Sequence, residues 1–319
     1  MATRGDDAST GTMQARADEV DRCLRSYVLI TPARNEEAFI EKTIKSVIHQ
    51  TILPLKWVIV DDGSTDRTPD IVRRYAGKHS WIVMIQMPPH PDYSLSAKAR
   101  CFNAAVERLK DCDFSFIGNV DADISFDEGF FAFLLEQFTC DCQLGVAGAP
   151  MKEANHDAVE DARFNETDVF GACQLFRREC FEQIGGYPLI RGGIDWAAVR
   201  MARMKGWKTR SFLEKRFFHH RVMGASNCSL WRALWNHGEK DYYLGNHPLW
   251  EAFRVIYQMT TRPFFVKGLI LLAGYACACL RRVERPIPPE LIQFHRQEQF
   301  QRLRSALGLK LLPRRTKAV

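Results

Sequence analysis

Two aspartates spaced one residue apart, Asp121-Ala122-Asp123, follow the largely apolar run Phe114–Asn119. Anions that close together are costly to desolvate without a cation. Hard oxygen ligands at a strand end, leaving several positions to water and phosphate, suit Mg2+ or Mn2+ bridging a diphosphate. A second acidic group, Asp61-Asp62-Gly63-Ser64, follows Trp57–Val60; by itself it reads equally well as a turn leading into a helix cap. The chain contains no Gly-x-Gly-x-x-Gly and no Gly-x-x-x-x-Gly-Lys-Ser/Thr. That argues against a dinucleotide dehydrogenase, a Rossmann methyltransferase and a P-loop ATPase.

The elements that must position these groups alternate short apolar runs with helical spacing, the pattern of a βαβ sheet. Tyr27–Thr31, Trp57–Val60, Trp81–Gln86 and Phe114–Asn119 predict buried strands. Glu36–Gln50, with Ile40, Ile44, Val47 and Ile48 on one face, predicts a helix, as do Thr65–Ala76, with Ser64 or Asp66 as N-cap, and Ser96–Leu109. Parallel strands present ligand loops at their carboxyl ends. Pro32–Glu36, Asp61–Ser64 and Asp121–Asp123 all fall there. From Leu144 to about Arg221 shorter strand-like runs follow, with a Gly185-Gly186-Tyr187 turn and a helix from Asp195 to Lys205 ending at Gly206.

The composition fits a folded chain of one large or two modest domains: 319 residues, 46% hydrophobic and 26% charged. The formal charge of +6 is local, because Arg281–Val319 carries ten Lys/Arg against three Asp/Glu and the remainder is near neutral. The ten cysteines include no Cys-x-x-Cys and lie in apolar stretches, which predicts reduced, mostly buried thiols. Residues 1–25 have no apolar run, so a signal peptide and a transmembrane span are not expected there; the segment is expected to be disordered and the protein cytoplasmic.

Taken in order, Thr31-Pro32-Ala33-Arg34-Asn35-Glu36, Val60-Asp61-Asp62-Gly63-Ser64-Thr65-Asp66, Lys98-Ala99-x-x-Phe102-Asn103-Ala104-Ala105 and Asp121-Ala122-Asp123 resemble the motifs of family 2 glycosyltransferases of the exopolysaccharide type. The resemblance covers about Tyr27 to Arg221. It implies an α/β GT-A fold, a Rossmann-like, mostly parallel central sheet flanked by helices, followed by a helical C-terminal extension. Carried over by position, Pro32, Arg34, Glu36, Asp61 and Asp62 would cradle the base and ribose of a UDP- or GDP-sugar. Lys98 and Asp121 would approach the nucleotide or diphosphate, and Asp123 would bind the metal, Mg2+ or Mn2+. Gly192-Gly193-Ile194-Asp195-Trp196 resembles the family's Gly-Gly-x-Glu-Asp segment. Asp195 would then be the general base of an inverting transfer, with Ile194 where a Glu is common; Asp195 as a helix N-cap is the bland alternative. In His219-His220-Arg221 only one imidazole can face a site, since strand neighbours point to opposite faces. His220 is assigned to the metal, with neither histidine ligating as the alternative, and Arg221 to the diphosphate as a fork.

Residues 26–228 are thus expected to form the GT-A domain and 229–319 an amphipathic and apolar helical region with a basic tail. Phe264–Leu280 is interrupted by Lys267 and flanked by Arg262, Arg281, Arg282 and Arg285. It is short for the ~20 residues a span needs and fits a segment lying at an anionic cytoplasmic membrane surface. A buried helix is the alternative. No motif of nucleic-acid recognition accompanies the basic tail. The acceptor implied is lipid-linked or a saccharide. No Gln-x-x-Arg-Trp motif is present, which favours addition of single sugars. A polyprenyl-phosphate glycosyl synthase, a non-catalytic nucleotide-sugar-binding protein and a nucleotidyltransferase are the rival readings; the last usually needs a Gly-rich loop, and Pro32–Glu36 has no glycine.

Overall fold

Four apolar segments set the architecture, three of them buried on both faces and the edge strand Ile82–Gln86 only half-buried. In a computed structural model that describes residues 26–88, 96–153, 156–157, 159, 165–221 and 230–306, β1 (Tyr27–Ala33), β2 (Lys56–Asp61), β3 (Ile82–Gln86) and β4 (Phe116–Val120) pair in parallel in the order β4-β1-β2-β3. Strands this uniformly apolar suit a sheet covered on both sides. The first three are connected by α1 (Ile40–Ile48) and α2 (Thr68–Ala76), and α3 (Ser96–Glu107) leads to β4. The chain proceeds outward from β1 to β3 and then returns to β1's other edge as β4. The strand order therefore reverses between β1 and β4, which is where open α/β sheets place ligands.

Beyond β4 come β5 (Ile124–Phe126), α4 (Phe130–Cys140), β6 (Leu144–Gly148), β7 (Met151–Glu153), β8 (His156–Asp157), β9 (Cys173–Arg177), α5 (Arg178–Gln183), α6 (Ile194–Met204), β10 (Lys208–Ser211) and β11 (Phe217–His219). β9 inserts antiparallel between β4 and β6, completing a seven-stranded, mostly parallel sheet, β10-β6-β9-β4-β1-β2-β3. A second sheet, β5-β11-β7-β8, joins β11 antiparallel to β5 with His219 opposite Ile124.

Both α1 and α2 begin later than the sequence predicts, at Ile40 rather than Glu36 and at Thr68 rather than Thr65. The intervening residues bind the two loops to each other. Asn35 N–H donates to Ser64 Oγ (3.0 Å), Glu36 N–H to Thr68 Oγ1 (2.8 Å), Glu37 N–H to Asp66 Oδ2 (3.0 Å) and Thr65 N–H to Asn35 Oδ1 (2.8 Å). Asn35 adopts a left-handed conformation, φ 55°, which asparagine tolerates.

The chain divides into two compact units, Met1–Val222 and Met223–Val319. The boundary expected after residue 228 falls within 222–229, and the expected disordered segment 1–25 and the last part of the basic tail likewise lie outside the described residues. The second unit is helical: α7 (Leu230–Tyr243), α8 (Pro248–Met259), α9 (Val266–Leu280) and α10 (Pro289–Ala306). No described helix is long and apolar enough to cross a membrane. The described cysteines are free.

Candidate active site

The register levels three loops at one end of the sheet. Ala33 lies opposite Asp61, and Ile30 opposite Asn119 two residues before Asp121. Pro32 is the last residue but one of β1. Asp61 and Asp62 are both buried. Asp61 Oδ1 accepts from Ser64 N–H at 3.2 Å and its Oδ2 from Gln86 at 3.4 Å, while Arg34 pairs with Asp62 at 3.8 Å. Of the charged groups expected at this side of the crevice, Arg34, Asp61 and Asp62 thus lie at adjoining strand ends, while Glu36 is bound by Arg221.

At the β4 end, Lys98 Nζ donates to Asp121 Oδ1 at 2.5 Å and to the Gly171 carbonyl at 3.3 Å. Burial alone would lower its ammonium pKa. Asp121, Asp195 and Asp123 outweigh that and leave it raised. Lys98 is therefore a fixed cation among three carboxylates. Asn119, not singled out by the sequence, anchors the same point: its fully buried amide donates to Asp121 Oδ1 (3.2 Å) and to the Gly171 carbonyl (2.7 Å). Thr43 Oγ1 on α1 donates to the carbonyls of Ala122 (2.8 Å) and Ile124 (2.7 Å), pinning the Asp123 loop from behind.

The structure turns the two histidines to different partners. His220 turns its ring to Ser125 Oγ (3.0 Å) and stacks on Phe39, and burial first, then Lys42, lowers its pKa. His219 is the imidazole that faces Asp123, with Nε2 3.6 Å from Asp123 Oδ1. The cause is the β11–β5 register, which sets residue 219 opposite Ile124, next to Asp123, and sends its neighbour to the other face. His219 Nδ1 contacts the Arg221 carbonyl, which can only accept. With Nδ1 on a carbonyl, the usual arrangement of a metal-ligating histidine, Nε2 is the nitrogen turned to the Asp123 carboxylate, and Glu153 Oε1 lies 3.7 Å from Nδ1. Among the described residues no three His, Cys, Asp or Glu side chains form a metal-holding group. Asp123 and His219 fit an ion that takes its other ligands from diphosphate and water.

Arg221, expected on a diphosphate, bridges two carboxylates, with Nη2 2.6 Å from Glu36 Oε2 and Nε 3.2 Å from Asp123 Oδ2. Burial first, then the Asp123 charge, push the Glu36 carboxyl up to about 7 against the pull of Arg221.

Asp195 lies in the first turn of α6. The N-cap is Gly193, at φ 75°, and it makes no side-chain cap bond, so Asp195 is not the cap. Its carboxylate instead abuts Gly171: a Cβ built there would meet Asp195 Oδ2 at 2.0 Å. The loop entering β9 thus touches both Lys98 and Asp195. Gly171 and Asp195 line an open cleft of about 270 Å³ with Asn165, Phe170, Trp196 and Arg200. The Arg200 guanidinium stacks on Trp196 at 4.3 Å and pairs with Asp168 at 3.3 Å. Gly171 carried no sequence signal, and the sequence left His219 and His220 unseparated until strand pairing placed His219.

The sequence model described as glycosyl transferase family 2 matches residues 28–160, the stretch that supplies all three strand-end loops. Those residues, 133 of the 319, are similar to that family. EpsJ, an uncharacterized glycosyltransferase of Bacillus subtilis (strain 168), is 28% identical to this chain over 129 residues, 40% of this chain and 35% of EpsJ. The match thus spans about a third of that relative's length. Among solved structures, the mannosyltransferase PcManGT from Pyrobaculum calidifontis, in complex with GDP-Man and Mn2+, superposes on 96% of this chain and 86% of its own, with TM-score 0.53 and 17% identity. S. aureus TarS 1-349 in complex with UDP-GlcNAc superposes on 84% of this chain and 79% of its own, with TM-score 0.53 and 16% identity. These likenesses show the GT-A fold, α/β with a mostly parallel central sheet.

Proposed function

We propose that this protein is an inverting glycosyltransferase that moves a sugar from a nucleoside-diphosphate donor to a lipid-linked or saccharide acceptor, with residues 26–228 as the catalytic domain and 229–319 as a helical region placed at the cytoplasmic membrane surface. The observation that carries the reading is the convergence of Lys98, Asp121, Asp123 and Asp195 at the carboxyl end of β4 within and beside the family segment. The ligands bound by the structural neighbours, UDP-GlcNAc and GDP-Man, support a UDP- or GDP-sugar, and the Mn2+ beside the latter supports a divalent ion.

In this reading Pro32, Arg34, Glu36, Asp61 and Asp62 line the nucleotide side. Asp123 and His219 hold Mg2+ or Mn2+, which would neutralise charge on the departing diphosphate. Lys98 and Arg221 add fixed positive charge where the leaving group develops negative charge. Asp195 faces the cleft lined by Phe170 and Trp196, whose mixed aromatic and polar surface suits a sugar ring, and takes the proton of the attacking hydroxyl. The test is calorimetry of UDP with Mn2+ against the native protein and Asp123→Ala. Removing the carboxylate is expected to abolish metal-dependent binding, and equal affinities would sink the metal assignment.

A further inference from the structure

The helical unit holds α9 by one side only. Gly268, Leu271, Gly274 and Ala278 are buried. A Cβ at Gly274 would meet the Trp235 carbonyl oxygen of α7 at 2.3 Å, and one at Gly238 of α7 would meet the Leu271 carbonyl oxygen at 2.1 Å. The small residues thus let the two helices touch along their backbones, so α9 is fixed side-on against α7. Its 15 residues extend about 22 Å, short of the ~30 Å hydrocarbon core of a bilayer.

The other side of α9 faces outward, with Phe265 67% exposed, Leu269 54% and Leu272 42%. On α8, Phe253, Ile256 and Tyr257 are also exposed, Ile256 by 62%, at the i, i+3, i+4 spacing of one helical stripe. From Leu249 to Val283 every exposed charged side chain is an arginine, namely Arg262, Arg281 and Arg282, and the first exposed acid is Glu284. An apolar face this large on a folded unit marks an interaction site.

We propose that the outward face of α8 and α9 docks on an anionic phospholipid bilayer, with both helix axes along the surface, the apolar stripes sunk to the headgroup boundary and the arginines paired with lipid phosphates. The inference rests on the membrane-side placement proposed above and is independent of the transfer chemistry. Charge selects the occupant. A second copy docking symmetrically would bring the same arginines face to face without acids to pair them, whereas an anionic leaflet supplies the missing charge.

Flotation of the full chain with vesicles of phosphatidylcholine alone and of phosphatidylcholine with phosphatidylglycerol tests this. Binding is expected to the anionic vesicles, weakening as salt rises. Ile256→Glu with Leu269→Glu should lower partition by roughly tenfold or more, and Arg262→Gln or Arg281→Gln by about fivefold each at low salt. The substituted positions are exposed, so unfolding temperatures near the native one confirm that the variants fold. No flotation with either vesicle, or unchanged flotation of the glutamate variant, overturns the proposal. So does a dimer that the same substitutions dissolve. A chain that floats but binds no nucleotide sugar would sink the transferase reading and leave this one standing.

Discussion

The sheet unit and the helical unit distribute polar and apolar groups in opposite senses. In the first, Val28–Ile30 and Trp57–Val60 are fully buried, and the acids gather at strand ends, each beside a cation or backbone donor. In the second, Phe253, Ile256, Phe265 and Leu269 face outward while Asp241, Asn246, Glu251, His295 and Gln299 are turned inward. The inner groups bind one another. His295 Nε2 donates to Asn246 Oδ1 at 2.8 Å, Gln299 to the same oxygen at 2.9 Å, and the His247 N–H to Gln299 Oε1 at 2.8 Å. The contrast teaches that a buried polar cluster is not by itself a site. The strand-end acids converge on an open crevice, whereas the helical network fixes α8 and α10 against each other so that apolar residues are left for an external surface.

If that division holds, the largest effects should come from the strand-end cluster. Asp195→Asn is expected to leave donor and metal affinity intact and reduce transfer by roughly 10²–10⁴-fold. Asp195 is the acid of the first turn of α6, so an unfolding temperature near the native one is needed to separate lost transfer from a weakened helix start. Initial rates together with calorimetric donor binding decide, and native transfer would place the base elsewhere. A smaller effect is expected of Gly171→Ala, whose Cβ would collide with the Asp195 carboxylate and displace it. Transfer should fall about 10–100-fold through misplacement of the base. Donor affinity should hold, because the Gly171 carbonyl that receives Lys98 and Asn119 is retained. A parallel loss of donor affinity would show that the loop, not the base, had moved.

The sequence made one side of this contrast far more legible than the other. Apolar runs revealed β1 to β4 and the placement of their loops, because a strand buried on both faces, as β1, β2 and β4 are, needs no alternation to be seen. Side-chain alternation could say that His219 and His220 face opposite ways, but only the pairing with β5 says which one meets Asp123. β5, β7, β8 and β11 are two or three residues long and carry no periodicity to read. Gly171 matters for what approaches it from 24 residues away, information absent from its own neighbourhood. In the helical unit α7 and α8 were visible only as part of an amphipathic region, and α9 as the apolar run Phe264–Leu280. The helix α10 was hidden because its inward face, Leu291, His295 and Gln299 at i, i+4 and i+8, is mostly polar.

The smallest expected effect tests the interior of the helical unit. Burial first, then the Asp241 charge, push the Glu251 carboxyl from an ordinary 4.5 to about 7, against the pull of Arg254 and Asn246. Between those values the folded chain keeps a proton that the unfolded chain releases. Its contribution to stability is thus complete below about pH 4.5 and is lost as the pH rises through about 7. Glutamine keeps the size of the side chain and cannot ionise. Glu251→Gln should therefore be close to neutral near pH 5 and stabilise by about 1–2 kcal/mol near pH 8. Glu36, with its own carboxyl raised to about 7, gives the native protein a second slope over the same range. The substitution leaves that slope in place, so the difference between variant and native unfolding curves isolates the helical unit. Equal destabilisation at both pH values would mean that an ionised Glu251 is needed as the partner of Arg254, 3.9 Å away. The helical network would then be a charged site like the one at the strand ends, and the contrast between the two units would fail.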